Sequence, residues 1–253
     1  MANWNEPQPT RRSTGAGFGA SPSLNGAVIG GRTGAVDQGL RRYMLSIYNY
    51  MTSGVLLSGI VALLMASSGM AARMVGSPVM WLVVLSPLAI VFGMSFGANR
   101  MRTSTLQALF WAFAVLMGMS LSTIFLVYTG GSIAATFFAT AAAFAGLSLV
   151  GYTTKKDLSG MGSFLIMGLI GLIVASLINM FLKSPGLQWA ISFLGVLIFA
   201  GLTAYDTQRL KGMYYQIAGT DFVGKAVVLG ALTLYLDFIN MFQFLLSFMG
   251  QRD

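Results

Sequence analysis

Residues 224–248 read GKAVVLGALTLYLDFINMFQFLLSF, a run whose only charged side chains are Lys225 and Asp237. About 20 apolar residues at about 1.5 Å each cross about 30 Å of hydrocarbon, so this run is long enough to span a bilayer as a helix. Asp237 lies roughly 20 Å into it. An ionised carboxylate costs at least about 2.5 kcal/mol in hydrocarbon, so Asp237 is expected to face the interior of a helix bundle.

The composition of the whole chain indicates the same class. Of its 253 residues, 56% are hydrophobic and 9% are charged, and the mean hydropathy is +0.75. A soluble domain carries about 25% charged residues because its surface faces water, so the chain is predicted to be an integral membrane protein. The sequence contains no His and no Cys, which excludes disulfides, thiolate nucleophiles and imidazole bases.

Further apolar runs of about 20 residues, separated by short polar breaks, precede residues 224–248 along the chain. Together they predict an all-α integral membrane protein with seven transmembrane helices. The predicted spans are 44–66, 79–98, 105–127, 133–152, 162–182, 188–207 and 224–248.

The character of the chain changes at about residue 42. Its first 40 residues contain eight of the 31 Gly and three of the six Pro. Such a stretch buries too little apolar surface to offset its ordering entropy. We therefore predict a disordered cytoplasmic tail at residues 1–42 and a seven-helix transmembrane domain at residues 43–250.

Basic residues in the predicted loops set the orientation, because they concentrate on the cytoplasmic side of a membrane protein. They divide 12 to three between the two sides. The side with 12 carries Arg11, Arg12, Arg32, Arg41, Arg42, Arg100, Arg102, Lys155, Lys156, Arg209, Lys211 and Lys225, and the other carries Arg73, Lys183 and Arg252. This predicts a cytoplasmic N-terminus and an external C-terminus. It also explains the net charge of +8 without a nucleic-acid partner.

Two acidic residues, Asp206 and Asp237, fall within the hydrophobic spans. Asp206 lies near the cytoplasmic end of the sixth span, three residues before Arg209. It is either an interfacial residue paired with Arg209 or a partner of Asp237. Asp237 is either a structural hydrogen-bond anchor or part of a functional pair. The depths of the two carboxylates match better if the sixth helix continues past Arg209 toward Met213.

Several segments resemble the signatures of the transmembrane Bax inhibitor motif family. Residues 205–208 read YDTQ and residues 232–242 read LTLYLDFINMF. Residues 155–159 (KKDLS), Arg100 and the 113–121 stretch are similar to further family segments. The resemblance covers roughly residues 38–250.

The resemblance implies a seven-helix fold with the last helix at the centre. Family members are described as pH-sensitive calcium leak channels in which two Asp carboxylates share a proton and engage an Arg. By motif match these residues are Asp206, Asp237 and Arg100, the last acting as a latch. The implied location is the bacterial inner membrane. Some bacterial members carry a further acidic residue in the second span, which is uncharged here from Val79 to Asn99.

Elementary electrostatics agrees with that assignment. Two carboxylates in low dielectric repel each other, so a pair within hydrogen-bonding reach tends to keep one shared proton, while an Arg favours the charged forms. Protonation then changes which bonds join the helices. Two Asp are far short of the six to eight ligands of a tight Ca²⁺ site, so Asp206 and Asp237 are expected to hold Ca²⁺ weakly and transiently. No resident cofactor is expected.

The same residues bear on other functional classes. YccA-like bacterial members are associated with a membrane AAA protease, so the alternative is a non-conducting protein that binds and modulates such a protease through its exposed tail. An enzyme is not expected: intramembrane aspartyl proteases have Gly directly before one Asp, whereas Tyr205 and Leu236 stand here. A retinal protein needs a Lys in the middle of its last helix, and Lys225 is only at its entrance.

Overall fold

The computed structural model describes the backbone of residues 24–251 and the side chains of residues 37–251. All regular elements in this range are helical. They are α1 (Leu24–Ser67), α2 (Met70–Met74), α3 (Pro78–Gly97), α4 (Thr103–Leu121), a 3₁₀ helix (Ser122–Leu126), α5 (Gly130–Thr153), α6 (Ser159–Leu182), α7 (Pro185–Ile217) and α8 (Phe222–Met249).

Seven helical segments are long and apolar enough to cross a bilayer. They correspond one to one to the seven predicted spans, with α4 and the 3₁₀ helix forming one of them. The predicted fold class is therefore confirmed: the chain is an all-α integral membrane protein. The short helix α2 lies in the connection between the first two spans.

The division into a disordered tail at residues 1–42 and a transmembrane domain at residues 43–250 stays a prediction. The chain divides into a unit at Met1–Asp37 and a unit at Gln38–Asp253, and α1 already begins at Leu24. The second unit starts before residue 43 because Leu40 is buried in its core. Low hydrophobicity limits burial but does not prevent a helix from extending once it is nucleated. Residues 1–23 of the predicted tail lie outside the described residues.

Helix α7 is longer than its predicted span, which ended at residue 207. It runs to Ile217, because the charges after residue 207 are compatible with a helix and the first conformational stop is Gly219, with φ of 81°. Lys211 Nζ donates a hydrogen bond of 2.8 Å to the carbonyl oxygen of Tyr152 on α5. The extension past Met213 brings Asp206 into the interior of the helix rather than to its end.

Helix α8 is the most buried span. In the apolar stretch of α8, 56% of the residues are buried inside the protein. The next highest share is 39%, in the apolar stretch of α7. It packs against α4, α5 and α7. The placement of the last helix at the centre of the bundle stays a prediction.

A buried hydroxyl contact joins α8 to two other helices. The hydroxyl groups of Ser58 on α1 and Tyr235 on α8 lie 2.6 Å apart, and Ser58 Oγ donates to the carbonyl oxygen of Ala114 on α4 at 2.6 Å. Since a serine hydroxyl has one proton, Tyr235 then donates to Ser58. Phe110 and Phe113 each pack edge to face with the ring of Tyr235.

Candidate functional site

Two glycines set the packing of α7 against α8. A Cβ atom at Gly230 on α8 would lie 2.8 Å from a methyl group of Leu210 on α7. On the other side, Gly195 of α7 lies directly against the ring of Phe244 on α8. Because the two contacts flank the site in opposite chain order, the helices run antiparallel with Asp206 and Asp237 between the contacts.

The carboxyl groups of Asp206 and Asp237 lie close enough for a hydrogen bond between them. Asp206 is 8% exposed and Asp237 is 4% exposed. Ionised carboxylates can only accept hydrogen bonds, so a bond between the two requires a proton on one of them. The structure thus brings together the two predicted carboxylates from different helices.

The neighbouring polar side chains on α8 do not satisfy Asp237. Thr233 donates its hydroxyl to the carbonyl oxygen of Leu229 at 3.1 Å, and Asn240 donates its amide to the carbonyl oxygen of Leu236 at 2.7 Å. Oδ2 of Asp237 is buried and receives no hydrogen bond from a donor in the described part of the chain. A buried polar atom without a donor is costly, which favours a protonated carboxyl pair.

The cation beside the pair is Arg209. Its Nη1 lies 4.0 Å from Oδ1 of Asp206, one turn away on α7, and its side chain is 61% exposed. That separation is too long for a hydrogen bond, and an exposed ion pair contributes about 0–1 kcal/mol. The pairing of Asp206 with Arg209 that the sequence left open is therefore present, and it coexists with the contact to Asp237.

Arg100 makes no ion pair with Asp206 or Asp237 in this structure, and its role as a latch, assigned by motif match, stays a prediction. It is exposed in the turn after α3, and its side chain makes no hydrogen bond or ion pair with any residue whose side chain is described. This turn is held by Lys225, whose Nζ donates to the carbonyl oxygens of Ala98 and Asn99 at 3.2 Å each.

Cavities lie on both sides of the pair. One, of about 730 Å³, is formed by α6, α7 and α8 and is lined by both carboxylates. The other, of about 270 Å³, is formed by α3, α7 and α8 and is lined by Asp206 but not Asp237. Asp206, Arg209, Thr233 and Leu236 border both cavities, so these residues separate them. The charged residues that line the two cavities are Asp206, Asp237 and Arg209.

The site offers few ligands for a metal ion. No cluster of three or more His, Cys, Asp or Glu forms among the described residues. The oxygen-bearing side chains of Thr233 and Asn240 line the larger cavity beside the two carboxylates. These four side chains reach the six to eight oxygens that Ca²⁺ prefers only if both carboxylates bind through both of their oxygens, so Ca²⁺ at this site stays a prediction.

Thr233 and Asn240 were not singled out from the sequence as site residues. A signal for them was present, because they stand four residues before and three residues after Asp237 and so share its face of the helix. Helix α3, the second span, contributes Val91 and Ser95 to the smaller cavity but no charged residue.

One family model matches most of the chain, and several bacterial proteins are similar to it. Residues 40–253 match the family model described as inhibitor of apoptosis-promoting Bax1. A protein of Caulobacter vibrioides is 51% identical over 230 residues, covering 85% of this chain and 91% of the relative. The inner membrane protein YbhL of Escherichia coli is 46% identical over 218 residues, covering 85% and 93% of the two chains, and a protein of Borreliella burgdorferi is 42% identical over 214 residues, covering 83% and 92%. With this match and the seven spans, the chain belongs to the Bax inhibitor-like family of integral membrane proteins.

Proposed function

We propose that this protein is a pH-sensitive leak channel for cations, with Ca²⁺ as the transported ion, controlled by the proton between Asp206 and Asp237. The observation that carries the proposal is the position of the pair. Two carboxyl groups from different helices lie within hydrogen-bonding reach; both line the larger cavity, and Asp206 also lines the smaller one.

The protonated pair favours a closed channel. One proton allows a direct hydrogen bond that ties α7 to α8. Loss of that proton replaces the bond with repulsion between two like charges in a low-dielectric environment. The same step creates two ionised carboxylates, which are hard oxygen ligands for Ca²⁺. The leak is therefore expected to increase as pH rises.

Because two carboxylates coordinate Ca²⁺ incompletely, binding at the pair is weak. Weak binding suits permeation, since an ion must leave the site as readily as it enters. Thr233 and Asn240 can contribute oxygens from the wall of the larger cavity. Arg209 at 4.0 Å from Asp206 opposes Ca²⁺ by charge and would have to move aside as the ion passes.

The test is a flux assay across pH. Purified protein is reconstituted into liposomes that contain a Ca²⁺ indicator, and the leak is followed as a function of pH. Asp237→Asn keeps the shape but removes the titration, so the pH dependence should flatten. Asp206→Asn should do the same, because a shared proton belongs to the pair. Asp157→Asn, which removes an exposed carboxylate, is the matched control and should leave the pH profile unchanged.

The outcomes separate the candidate functions. If the wild-type leak is present and its pH profile is the same in Asp237→Asn, the proton does not control the channel. A protein that conducts no Ca²⁺ at any pH contradicts the channel and favours the non-conducting partner of a membrane AAA protease.

The cation that tunes the pair can be identified in the same assay. Removing a positive charge near a carboxyl pair favours its protonated form, so a higher pH is then needed to open the channel. On the observed distances, Arg209→Gln should shift the profile to higher pH. Arg100→Gln should shift it only if the latch assigned by the resemblance forms in another state of the channel, and Arg102→Gln is the control for surface charge. Equal shifts from all three variants would mean that the pH profile responds to the overall surface charge and not to one particular Arg.

We also propose that the protein resides in the bacterial inner membrane with its N-terminus in the cytoplasm and its C-terminus outside. The 12-to-three division of basic residues supports this orientation. The printed name of the E. coli relative supports the location. Reporter fusions after residues 129 and 253 should report the outer side, and fusions after residues 157 and 219 the cytoplasm. A cytoplasmic signal at residue 253 would contradict the orientation.

A further inference from the structure

A lateral groove of about 820 Å³ lies between α1 and α5, away from the carboxyl pair. Its floor consists of buried apolar side chains, among them Met51, Val55 and Phe238. Leu45 and Leu149, which also line it, are exposed. The groove therefore opens sideways, toward the hydrocarbon of the bilayer in a membrane-spanning protein.

The sequence of α5 explains why the space is not filled. Ala141, Ala145 and Ser148 stand at positions i, i+4 and i+7 and so lie on one face of the helix. All three line the groove. Their small side chains cannot reach α1 across the gap, and Phe137 and Phe144 close its floor by packing edge to face on Phe238.

The groove is charged at one end only. Arg41 is the only charged residue in its lining, and it stands at the α1 end that also has Tyr48 and, across the gap, Tyr152. The Arg41 side chain is exposed and has no carboxylate within 4.0 Å among residues with described side chains. Lys211 adds a second positive charge nearby, since its Nζ lies 5.0 Å from the centre of the Tyr152 ring.

We propose that this groove binds an anionic phospholipid, with an acyl chain along the apolar floor and the phosphate at Arg41. A guanidinium group donates two parallel hydrogen bonds to a phosphate, and its weak hydration suits an interfacial position. Basic pockets between membrane helices on the cytoplasmic side are typical sites for anionic headgroups. This site is separate from the proposed channel and does not require the protein to conduct.

The dimensions suit one acyl chain. From Arg41 to Leu56, both in the groove lining, α1 rises roughly 22 Å at about 1.5 Å per residue. One leaflet contributes about 15 Å of the roughly 30 Å of hydrocarbon. A chain that starts from a headgroup at Arg41 is therefore covered along its whole depth in the leaflet. One charged end on a mostly apolar surface matches an amphiphile better than the side of another protein helix.

The headgroup contact is tested by lipid binding to the purified full-length protein. Native mass spectrometry in detergent measures the retention of phosphatidylglycerol and phosphatidylcholine with equal acyl chains. One phosphatidylglycerol per chain should be retained in preference. Arg41→Gln should reduce that preference by about tenfold or more, because hydrogen bonds between charged groups are lost. Arg42→Gln removes an adjacent, exposed Arg that does not line the groove, and should leave the preference intact.

The chain contact is tested by filling the groove. Ala145 is exposed, so Ala145→Phe adds a ring to the groove without displacing a buried side chain. It should reduce retention of both lipids. Ala143→Phe is the control, because residue 143 is exposed, does not line the groove and points about 200° away around α5.

Four results would overturn the proposal. They are equal retention of the two lipids by the wild type, equal losses in Arg41→Gln and Arg42→Gln, unchanged retention in Ala145→Phe, and a dimer that Ala145→Phe dissociates. The last would assign the groove to a second copy of the chain. Since every readout is binding, the result does not depend on whether the protein passes Ca²⁺.

Discussion

The two sides of α1 meet their neighbours in opposite ways. Toward α4 and α8, the helix backbone itself is in contact: Gly118 of α4 lies against the backbone of Ser58, whose hydroxyl bonds to Ala114 and Tyr235. Toward α5, the same helix faces the lateral groove. Both neighbours present small residues to α1, yet one side is close-packed and the other is open.

The difference lies in what stands opposite each small residue. Without a Cβ atom, Gly118 allows the α1 backbone to approach, and a buried hydroxyl network joins the helices there. In the groove that Ala141 and Ala145 line, the α1 side chains Leu45 and Leu56 are exposed. Small residues in a membrane helix thus permit contact but do not ensure it.

The largest effect is expected from Gly118→Ala on the close-packed side. The new Cβ atom would lie 2.6 Å from the carbonyl oxygen and 2.9 Å from the Cα of Ser58, and these backbone atoms cannot rotate away. Overpacking of this kind costs about 1–3 kcal/mol or more, so the thermal unfolding midpoint in detergent should fall.

Gly146→Ala on α5 is the control for that substitution. A Cβ atom at Gly146 has no neighbour within 4 Å, so only helix propensity changes. The unfolding midpoint should stay the same or rise, since Ala is favoured over Gly in a helix by about 1 kcal/mol. A larger loss from Gly146→Ala than from Gly118→Ala would refute the contrast between the two sides.

A smaller effect is expected from Ser58→Ala. It leaves the hydroxyl of Tyr235 buried without its partner, which costs about 1–3 kcal/mol in the free energy of unfolding. Adding Tyr235→Phe removes the unsatisfied group, so the double variant should be less destabilised than the sum of the two single variants. Thr52→Ala, at an exposed position in the groove, should be close to neutral. Strict additivity in the double variant would mean that the two hydroxyls do not interact.

The smallest effect is expected at Asp157, which belongs to neither side of α1. Hydrogen bonds from the hydroxyl and then the backbone N–H of Ser159 hold the pKa of Asp157 below its usual range. A lowered pKa stabilises the fold above the usual pKa, and this contribution disappears as pH falls through the lowered value. Asp157→Asn should therefore lower the unfolding midpoint slightly at about pH 7 and not in strong acid. The same loss at both pH values would exclude the charge as its cause.

The spans could be predicted from sequence because hydrophobic length is a local property that the bilayer imposes. The end of α7 could not, because hydropathy falls at Arg209 while the helix continues to Ile217. Asp206 and Asp237 were recognisable, since a carboxylate within an apolar run is costly wherever it lies. The cation that pairs with Asp206 was harder to assign from sequence. The resemblance to family motifs indicates Arg100, whereas the distance in the structure indicates Arg209.

The groove is the feature that sequence could least predict. Ala141, Ala145 and Ser148 indicate a face of small residues, but a pattern along one helix does not tell how far the next helix lies from it. That distance follows from contacts made elsewhere, such as those of Gly118 and Ser58 on the far side of α1. Only the assembled structure shows that Arg41 stands at the end of an apolar space.

The bonds of Lys225 limit how α8 can move. Its Nζ bridges the carbonyl oxygens of Ala98 and Asn99, so a sliding motion of α8 along its own axis breaks both bonds, whereas a tilt about its first turn keeps them. Asp237 lies 12 residues further on, which gives a lever arm of about 18 Å. A pivot of roughly 5° would displace its carboxyl group by about 1.5 Å over that arm, enough to make or break a hydrogen bond. A small rotation about the first turn of α8 would therefore be sufficient to change the bonding at the pair.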